Sequence, residues 1–190
     1  LNRAQIAGNG AMQAQLLFAR AELREELGDI RGASRDLKRL LGLDPRHGDA
    51  LAKQSQLLVR LGEEQAAAKA LELYLEVEED AEKRGEAEIM LSQLLAESLE
   101  DFTGAIVQLE HVLLDNDDDA VRDRLITYMI RSEKWDQAIA ELSKAAAQRS
   151  NDLERARDYL RIAEIHRRHR GDAAAAHGAL ERARQYDPLN

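Results

Sequence analysis

The feature that most constrains the fold is an alanine that recurs along the chain at nearly constant spacing. Successive copies are 34, 38, 33 and 38 residues apart, and a leucine follows each copy four positions later: Ala33, Ala67, Ala105, Ala138 and Ala176. Residues four apart share one face of a helix. A repeat of about 20 to 50 residues is typical of stacked supersecondary units that bury their apolar faces against each other. We therefore predict a helical repeat array.

The composition favours the same answer. Ala, Leu, Glu, Arg and Gln dominate, and aromatic residues make up only 4% of the chain. The dominant residues are strong helix formers, so we predict an all-α fold. The chain has no cysteine, which excludes disulfides and thiolate metal sites. No apolar run approaches the length of about 18 residues that a transmembrane helix needs.

Each predicted repeat consists of two antiparallel helices, A and B, joined by a turn five residues before the recurring alanine. Gly28, Gly62 and Gly171 lie at this turn, where a helix C-cap favours a positive φ. Glu100 and Glu133 replace the glycine in the third and fourth copies. The third and fifth copies carry one extra residue late in helix A. This residue explains part of each 38-residue spacing, and a longer connecting loop explains the rest.

These features resemble the tetratricopeptide repeat, which has a period of 34 residues, the same Ala and Leu skeleton, and a closing Asp-Pro pair like Asp44-Pro45 and Asp187-Pro188. The resemblance covers residues 14–190 as a single array of five copies: 14–47, 48–84, 85–118, 119–155 and 156–190. It implies a right-handed α-α superhelix of antiparallel helix pairs. The A helices would line a concave groove and the B helices would face outward. Other all-α repeats with looser rules are the alternative.

Residues 1–13 precede the first copy. Gly8-Asn9-Gly10 is a break signal. We therefore interpret this segment as a leader or as the remnant of a preceding helix.

The formal net charge of -9 argues against a nucleic-acid footprint. The charge is uneven, because residues 84–118 carry one basic and nine acidic groups. Such an acidic stretch can steer a basic partner segment toward the middle of the chain. The alternative is a charged surface that keeps the protein soluble.

Three segments suggest chemistry, and each has a plainer interpretation. His166 and His169 have a spacing that suits a metal ion, but basic residues also complement the dipole at a helix C-terminus. The acidic run at residues 115–119 lacks the Gly and Glu of a calcium-binding EF-hand loop, which indicates a loop between repeats, with weak cation binding as the alternative. Trp135 suits either the core or a ligand platform. Nucleophile elbows and phosphate loops are absent, so we predict no enzyme, no cofactor and no metal site.

The resemblance implies a non-catalytic protein-protein interaction module that binds a segment of a partner protein in its groove. The Lys and Asn pairs with which some tetratricopeptide proteins grip a C-terminal carboxylate are absent. The alternative is a self-assembling scaffold, or a spacer domain within a larger multidomain protein. We expect no membrane insertion and, by default, a cytoplasmic location. The predicted groove residues are the inward-facing positions of helix A: Phe18, Glu22, Glu25, Lys53, Gln56, Arg60, Gln93, Glu97, Arg124, Thr127, Arg131, Arg161, Glu164 and Arg168.

Overall fold

A computed structural model describes the backbone of residues 3–188 and the side chains of residues 10–188. This part of the chain contains α-helices and two π-helical turns but no strand, so the all-α prediction is confirmed. The π-helical turns are Leu94–Ser98 and His166–Arg170. The α-helices are α1 Arg3–Glu26, α2 Ile30–Leu43, α3 Gly48–Leu61, α4 Glu64–Leu75, α5 Ala81–Gln93, α6 Phe102–Asp115, α7 Asp119–Arg131, α8 Trp135–Gln148, α9 Asp152–Ile165 and α10 Ala173–Tyr186.

Consecutive helices pack as pairs, with α1 on α2, α3 on α4, α5 on α6, α7 on α8 and α9 on α10. The odd-numbered helices are the predicted A helices and the even-numbered helices are the predicted B helices. The chain divides into two compact units between Asp115 and Asn116. We call the part before this point unit 1, with α1–α6, and the part after it unit 2, with α7–α10.

The recurring alanine lies where each B helix meets its neighbours. Ala33 is fully buried, and so are the alanines at the equivalent position of α4, α6 and α8. In unit 1, Ala33, Leu37 and Leu40 of α2 form one apolar cluster with residues of α1 and α3. A methyl side chain at this position lets the helices approach closely, because interiors are packed without room for extra volume.

The turn between helices A and B is left-handed in all five pairs. Gly28, Gly62 and Gly171 have φ values of 80°, 72° and 63°. Glu100 and Glu133 have the same conformation, with φ values of 56° and 61°. The predicted turn positions are therefore confirmed, including the two at which glutamate replaces glycine. For a residue with a Cβ, the left-handed conformation costs about 1 to 2 kcal/mol.

The extra residue predicted late in the third and fifth A helices appears as a π-helical turn. The N–H of Leu99 donates to the carbonyl oxygen of Leu94 at 3.2 Å, five residues earlier. The N–H of Gly171 donates in the same way to His166. A π turn takes up one more residue than an α turn. The helix can therefore absorb the insertion and still reach the left-handed turn.

The break predicted at Gly8-Asn9-Gly10 is wrong, because α1 runs without interruption from Arg3 to Glu26. Glycine costs only about 1 kcal/mol in a helix interior. Packing of Ala14, Leu17 and Ala21 against α2 and α3 holds the later part of α1. Once a helix is formed, each further residue adds one hydrogen bond, so the helix extends through the glycines.

Candidate protein-binding surface

The fourteen predicted groove residues all lie on the A helices or on the π turns that end them, and none is buried. We call this set the A-helix surface. Its members recur at helical spacing on the side of each A helix that the core leaves open. Unit 1 carries the members on α1, α3 and the end of α5, and unit 2 carries those on α7, α9 and the second π turn.

In unit 1 the structure brings together four of these residues, with Glu22, Lys53 and Arg60 grouped around Glu25. Lys53 donates from Nζ to Glu25 Oε2 at 2.8 Å, and Arg60 donates from Nη1 to Glu25 Oε1 at 2.8 Å. Lys53 Nζ also lies 3.9 Å from Glu22 Oε1. These contacts join α1 to α3, so neighbouring A helices share one polar surface. Its two acidic and two basic groups balance.

The other members in unit 1 lie around this cluster. Phe18 stacks on His47, with ring centroids 5.6 Å apart. Gln56 is exposed on α3, Gln93 is the last residue of α5, and Glu97 is an exposed residue of the first π turn. The surface of unit 1 thus offers one aromatic ring beside mixed charges.

In unit 2 the same surface is rich in arginine. Arg161 of α9 forms an ion pair with Asp123 of α7, which again joins neighbouring A helices. Arg168 Nη1 lies 3.1 Å from Glu164 Oε1, one turn earlier. Thr127 donates from its hydroxyl to the carbonyl oxygen of Asp123 at 2.8 Å.

Arg124 and Arg131 complete the surface of unit 2. Arg131 is exposed, whereas Arg124 is partly buried. The Nη1 atom of Arg124 is buried and has no hydrogen-bond partner among the described residues. Buried polar atoms are normally hydrogen-bonded. Arg124 therefore retains an unused donor on a surface with an excess of positive charge.

Two further residues contact this surface without having been predicted from the sequence, His47 and Asp123. His47 precedes α3 and accepts a hydrogen bond from Ala50 N at 3.3 Å, so it caps the helix while its ring meets Phe18. Asp123 directly precedes Arg124 and pairs with Arg161. Asp123 and Arg161 lie 38 residues apart, which is close to one predicted repeat, and this spacing was the available signal.

Buried carboxylates on both units fix A helices to their neighbours. Asp36 of α2 is fully buried and accepts hydrogen bonds from Arg20 Nε and Nη2 at 2.7 Å and from Arg24 Nη1 at 2.8 Å. The hydrogen bond from Arg20 lowers the pKa of Asp36. These contacts tie α1 to α2.

In unit 2, Asp158 of α9 is buried and accepts one hydrogen bond from Arg149 Nε at 3.3 Å. Burial raises the pKa of Asp158, although Arg149 acts in the opposite direction. Arg149 also forms an ion pair with Asp119. The three side chains tie the start of α7 to α9 through the end of α8.

The segments that suggested chemistry have structural contacts. His169 stacks on Trp135 with ring centroids 4.1 Å apart, and Arg170 forms an ion pair with Asp136. Among the described side chains, those of residues 10–188, no group of three His, Cys, Asp or Glu is arranged to hold a metal ion. In the same range no helix combines the length and the apolar character needed to cross a bilayer.

Comparison with known proteins identifies the fold. No family model matches the chain, and no curated protein matches it. Among solved structures, MamA is 19% identical, with 94% of this chain and 93% of that chain covered and a TM-score of 0.62. YrrB, described as a TPR protein with an unusual peptide-binding site, is 17% identical, with 100% and 94% covered and a TM-score of 0.62. A kinesin light chain of Podosopora anserina with TPR-like repeats is 15% identical, with 92% and 95% covered and a TM-score of 0.54.

At these identities the similarity concerns the fold. Nearly the whole chain aligns with proteins whose helices form tetratricopeptide-type repeats. The resemblance drawn from the alanine spacing is therefore confirmed at the level of the fold.

Proposed function

We propose that this chain, a tetratricopeptide-type repeat array, is a non-catalytic module that binds a segment of a partner protein on its A-helix surface. The observation that carries the proposal is the excess of arginine over carboxylate on α7, α9 and the second π turn. This surface carries four arginines, Arg124, Arg131, Arg161 and Arg168, and its ion pairs join Arg161 to Asp123 and Arg168 to Glu164. The partner segment is accordingly acidic where it meets unit 2.

Two further observations support a peptide rather than a small molecule as the ligand. The ion pairs run from one A helix to the next, so the surface is extended instead of concentrated in one pocket. Repeat proteins commonly use such extended surfaces for binding. In addition, one solved structure of the same fold is described as having an unusual peptide-binding site.

Peptide display tests this proposal without a known partner. Random 16-residue peptides are selected against the unmodified 190-residue chain and against the variant Arg131→Glu/Arg168→Glu. We expect peptides rich in Asp and Glu from the unmodified chain. Their affinity for the variant should fall about tenfold or more, since about 1.4 kcal/mol corresponds to a factor of ten.

A matched control reverses two exposed basic residues of the B helices, Lys144→Glu/Arg184→Glu. It changes the net charge by the same amount but leaves the A-helix surface intact, so the selected peptides should bind it nearly as well as the unmodified chain. Equal loss in both variants would show that net charge, and not this surface, governs binding. Selection of uncharged or basic peptides would contradict the proposed partner chemistry.

A further inference from the structure

Two leucines of α1 are exposed at positions that other A helices bury. Leu16 and Leu23 are 66% and 59% exposed. Positions can be matched by counting back from the left-handed turn and allowing one residue for each π turn. Leu23 then corresponds to Leu57, Leu94 and Ile165, and Leu16 corresponds to Ala50 and Ala87. All five equivalents are at most 7% exposed.

The α2–α3 junction shows what covers these positions. Ala33, Leu37 and Leu40 of α2 form one apolar cluster with Ala50 and Leu57 of α3. An A helix therefore uses these two positions to receive the B helix that precedes it.

On α1 the same positions border an open groove of about 970 Å³. We call this the α1 face, which consists of Leu16, Leu17, Leu23 and Leu43 with Arg20 and Arg39.

The last B helix carries the matching half. Leu180 of α10 is 46% exposed, whereas the equivalent Leu37, Leu71 and Leu142 are at most 2% exposed. Ala176 and Leu180 repeat the Ala33 and Leu37 with which α2 contacts α3, and Ala183 stands where α2 has Leu40. Ala176 and Ala183 are at most 5% exposed, so the open part of this helix, which we call the α10 face, consists of Leu180 with its exposed neighbours His177 and Glu181.

The charges of the two faces are complementary in the register that the repeat dictates. At the α2–α3 junction, Lys38 and Gln54 line one pocket. The equivalent of Lys38 on α10 is Glu181, and the equivalent of Gln54 on α1 is Arg20. If α10 occupied the α1 face as α2 occupies α3, Glu181 would lie beside Arg20, which also bonds to Asp36 within its own chain, and the more exposed Arg39 would lie at the edge. Complementary charges of this kind fix the register of an interface.

We propose that a second copy of this chain docks head to tail, with the α10 face of one copy on the α1 face of the next. The contact reproduces between chains the packing that joins successive helix pairs within unit 1. It joins different surfaces of the two copies, so each bound copy keeps one face open and the association is open-ended. This self-association goes beyond partner binding, because neither face includes a residue of the A-helix surface.

Complementation between two variants of the 190-residue chain tests the proposal. Leu23→Glu disables the α1 face, and Leu180→Glu disables the α10 face, because each places a carboxylate in the apolar contact. In sedimentation velocity, the unmodified chain should gain weight-average mass with concentration. Each variant alone should remain at the mass of one chain. An equimolar mixture should form dimers and nothing larger, since only one intact α1 face and one intact α10 face can meet.

Two exposed leucines outside both faces provide matched controls. Leu114→Glu on α6 and Leu153→Glu on α9 replace side chains that are 81% and 63% exposed, and both should associate like the unmodified chain. Circular dichroism melts should show that all four variants fold. A monomeric unmodified chain at every concentration would overturn the proposal. It would also fail if either variant still formed large species, or if the mixture stayed monomeric.

Discussion

Asp36 in unit 1 and Asp158 in unit 2 are both buried carboxylates, each at a position that two other helix pairs fill with alanine. The corresponding alanines are Ala70 and Ala179 for Asp36, and Ala50 and Ala87 for Asp158. The two carboxylates nevertheless titrate in opposite directions, because the pKa of Asp36 is lowered and the pKa of Asp158 is raised. Burial alone therefore does not determine whether a carboxylate in this fold is more or less readily ionised than in water.

The partners explain the difference. Asp36 accepts three hydrogen bonds of 2.7 to 2.8 Å from two arginines. Asp158 accepts one of 3.3 Å from Arg149, which is shared with Asp119. Charge-assisted hydrogen bonds with two-point geometry are the strongest in proteins. At Asp36 they exceed the cost of burial, whereas at Asp158 the cost of burial is larger.

Asp36→Ala tests the stronger site and should have the largest effect. We expect the free energy of unfolding to fall by about 2 to 3 kcal/mol, since hydrogen bonds to charged groups are each worth about 1.5 to 3 kcal/mol and the freed arginines can partly rehydrate. Their side chains are already 48% and 35% exposed. Urea denaturation at neutral pH measures the change. A loss below about 0.5 kcal/mol, the usual scatter of surface substitutions, would contradict this account of Asp36.

The pH dependence of the two sites should have opposite signs. The unfolded pKa of aspartate is about 3.9. The folded pKa of Asp36 is lowered, so its ionised form stabilises the chain above the unfolded pKa, and this contribution is lost as the pH falls through the folded value. The folded pKa of Asp158 is raised. Its protonated form therefore contributes stability that is fully present below the unfolded pKa and is lost as the pH rises through the folded pKa.

Urea denaturation of the unmodified chain, Asp36→Ala and Asp158→Ala between pH 7 and pH 3 measures these contributions. The loss in free energy of unfolding caused by Asp36→Ala should become smaller as the pH falls. The unmodified chain should gain stability relative to Asp158→Ala over the same range. Parallel curves for the two variants would show that the partners of the two carboxylates do not differ in effect.

At neutral pH, Asp158→Ala should change stability by about 1 kcal/mol or less, and a small gain is the expected direction. Removing one member of a buried ion pair is costly mainly because it leaves the other charge buried and uncompensated. Arg149 retains Asp119 after the substitution. Asn at the same position is the control that keeps the volume. A loss as large as that of Asp36→Ala would mean that the bond to Arg149 outweighs burial.

The sequence predicted the parts of the molecule that depend on repeat spacing. Glu100 and Glu133 were placed at the turn because they align with three glycines, and the inserted residue was placed late in two A helices. The form of that insertion, a π turn, follows from backbone hydrogen bonds that spacing alone does not specify. The break at Gly8-Asn9-Gly10 was wrong because a local penalty was weighed without the packing of the rest of α1.

The contacts of the candidate binding surface were harder to predict from the sequence. Helical periodicity identifies which face of an A helix is open, and it therefore selects residues such as Glu25 and Lys53. It does not show that they bond to each other, because that depends on how neighbouring helices approach. The burial of Asp36 and Asp158 was missed for the same reason. Their partners lie 16, 12 and 9 residues away in sequence, and none of these distances is a helical spacing.

Substitutions at the left-handed turn should have the smallest effect on stability. They also contrast with the buried carboxylates, whose effects depend on their partners. At the turn, the free-energy cost arises from the left-handed backbone conformation of a single residue. Relieving this strain should therefore change the stability in the same direction in both units. Glu100→Gly in unit 1 and Glu133→Gly in unit 2 should each stabilise the chain by about 0.5 kcal/mol. Relief of the left-handed strain, about 1 to 2 kcal/mol, is partly offset by the greater entropy of glycine in the unfolded chain. The reverse change, Gly62→Glu, should destabilise by about 1 kcal/mol in the same urea measurements. Opposite signs for the two glycine variants would mean that side-chain contacts also decide the cost at the turn, as they do at Asp36 and Asp158.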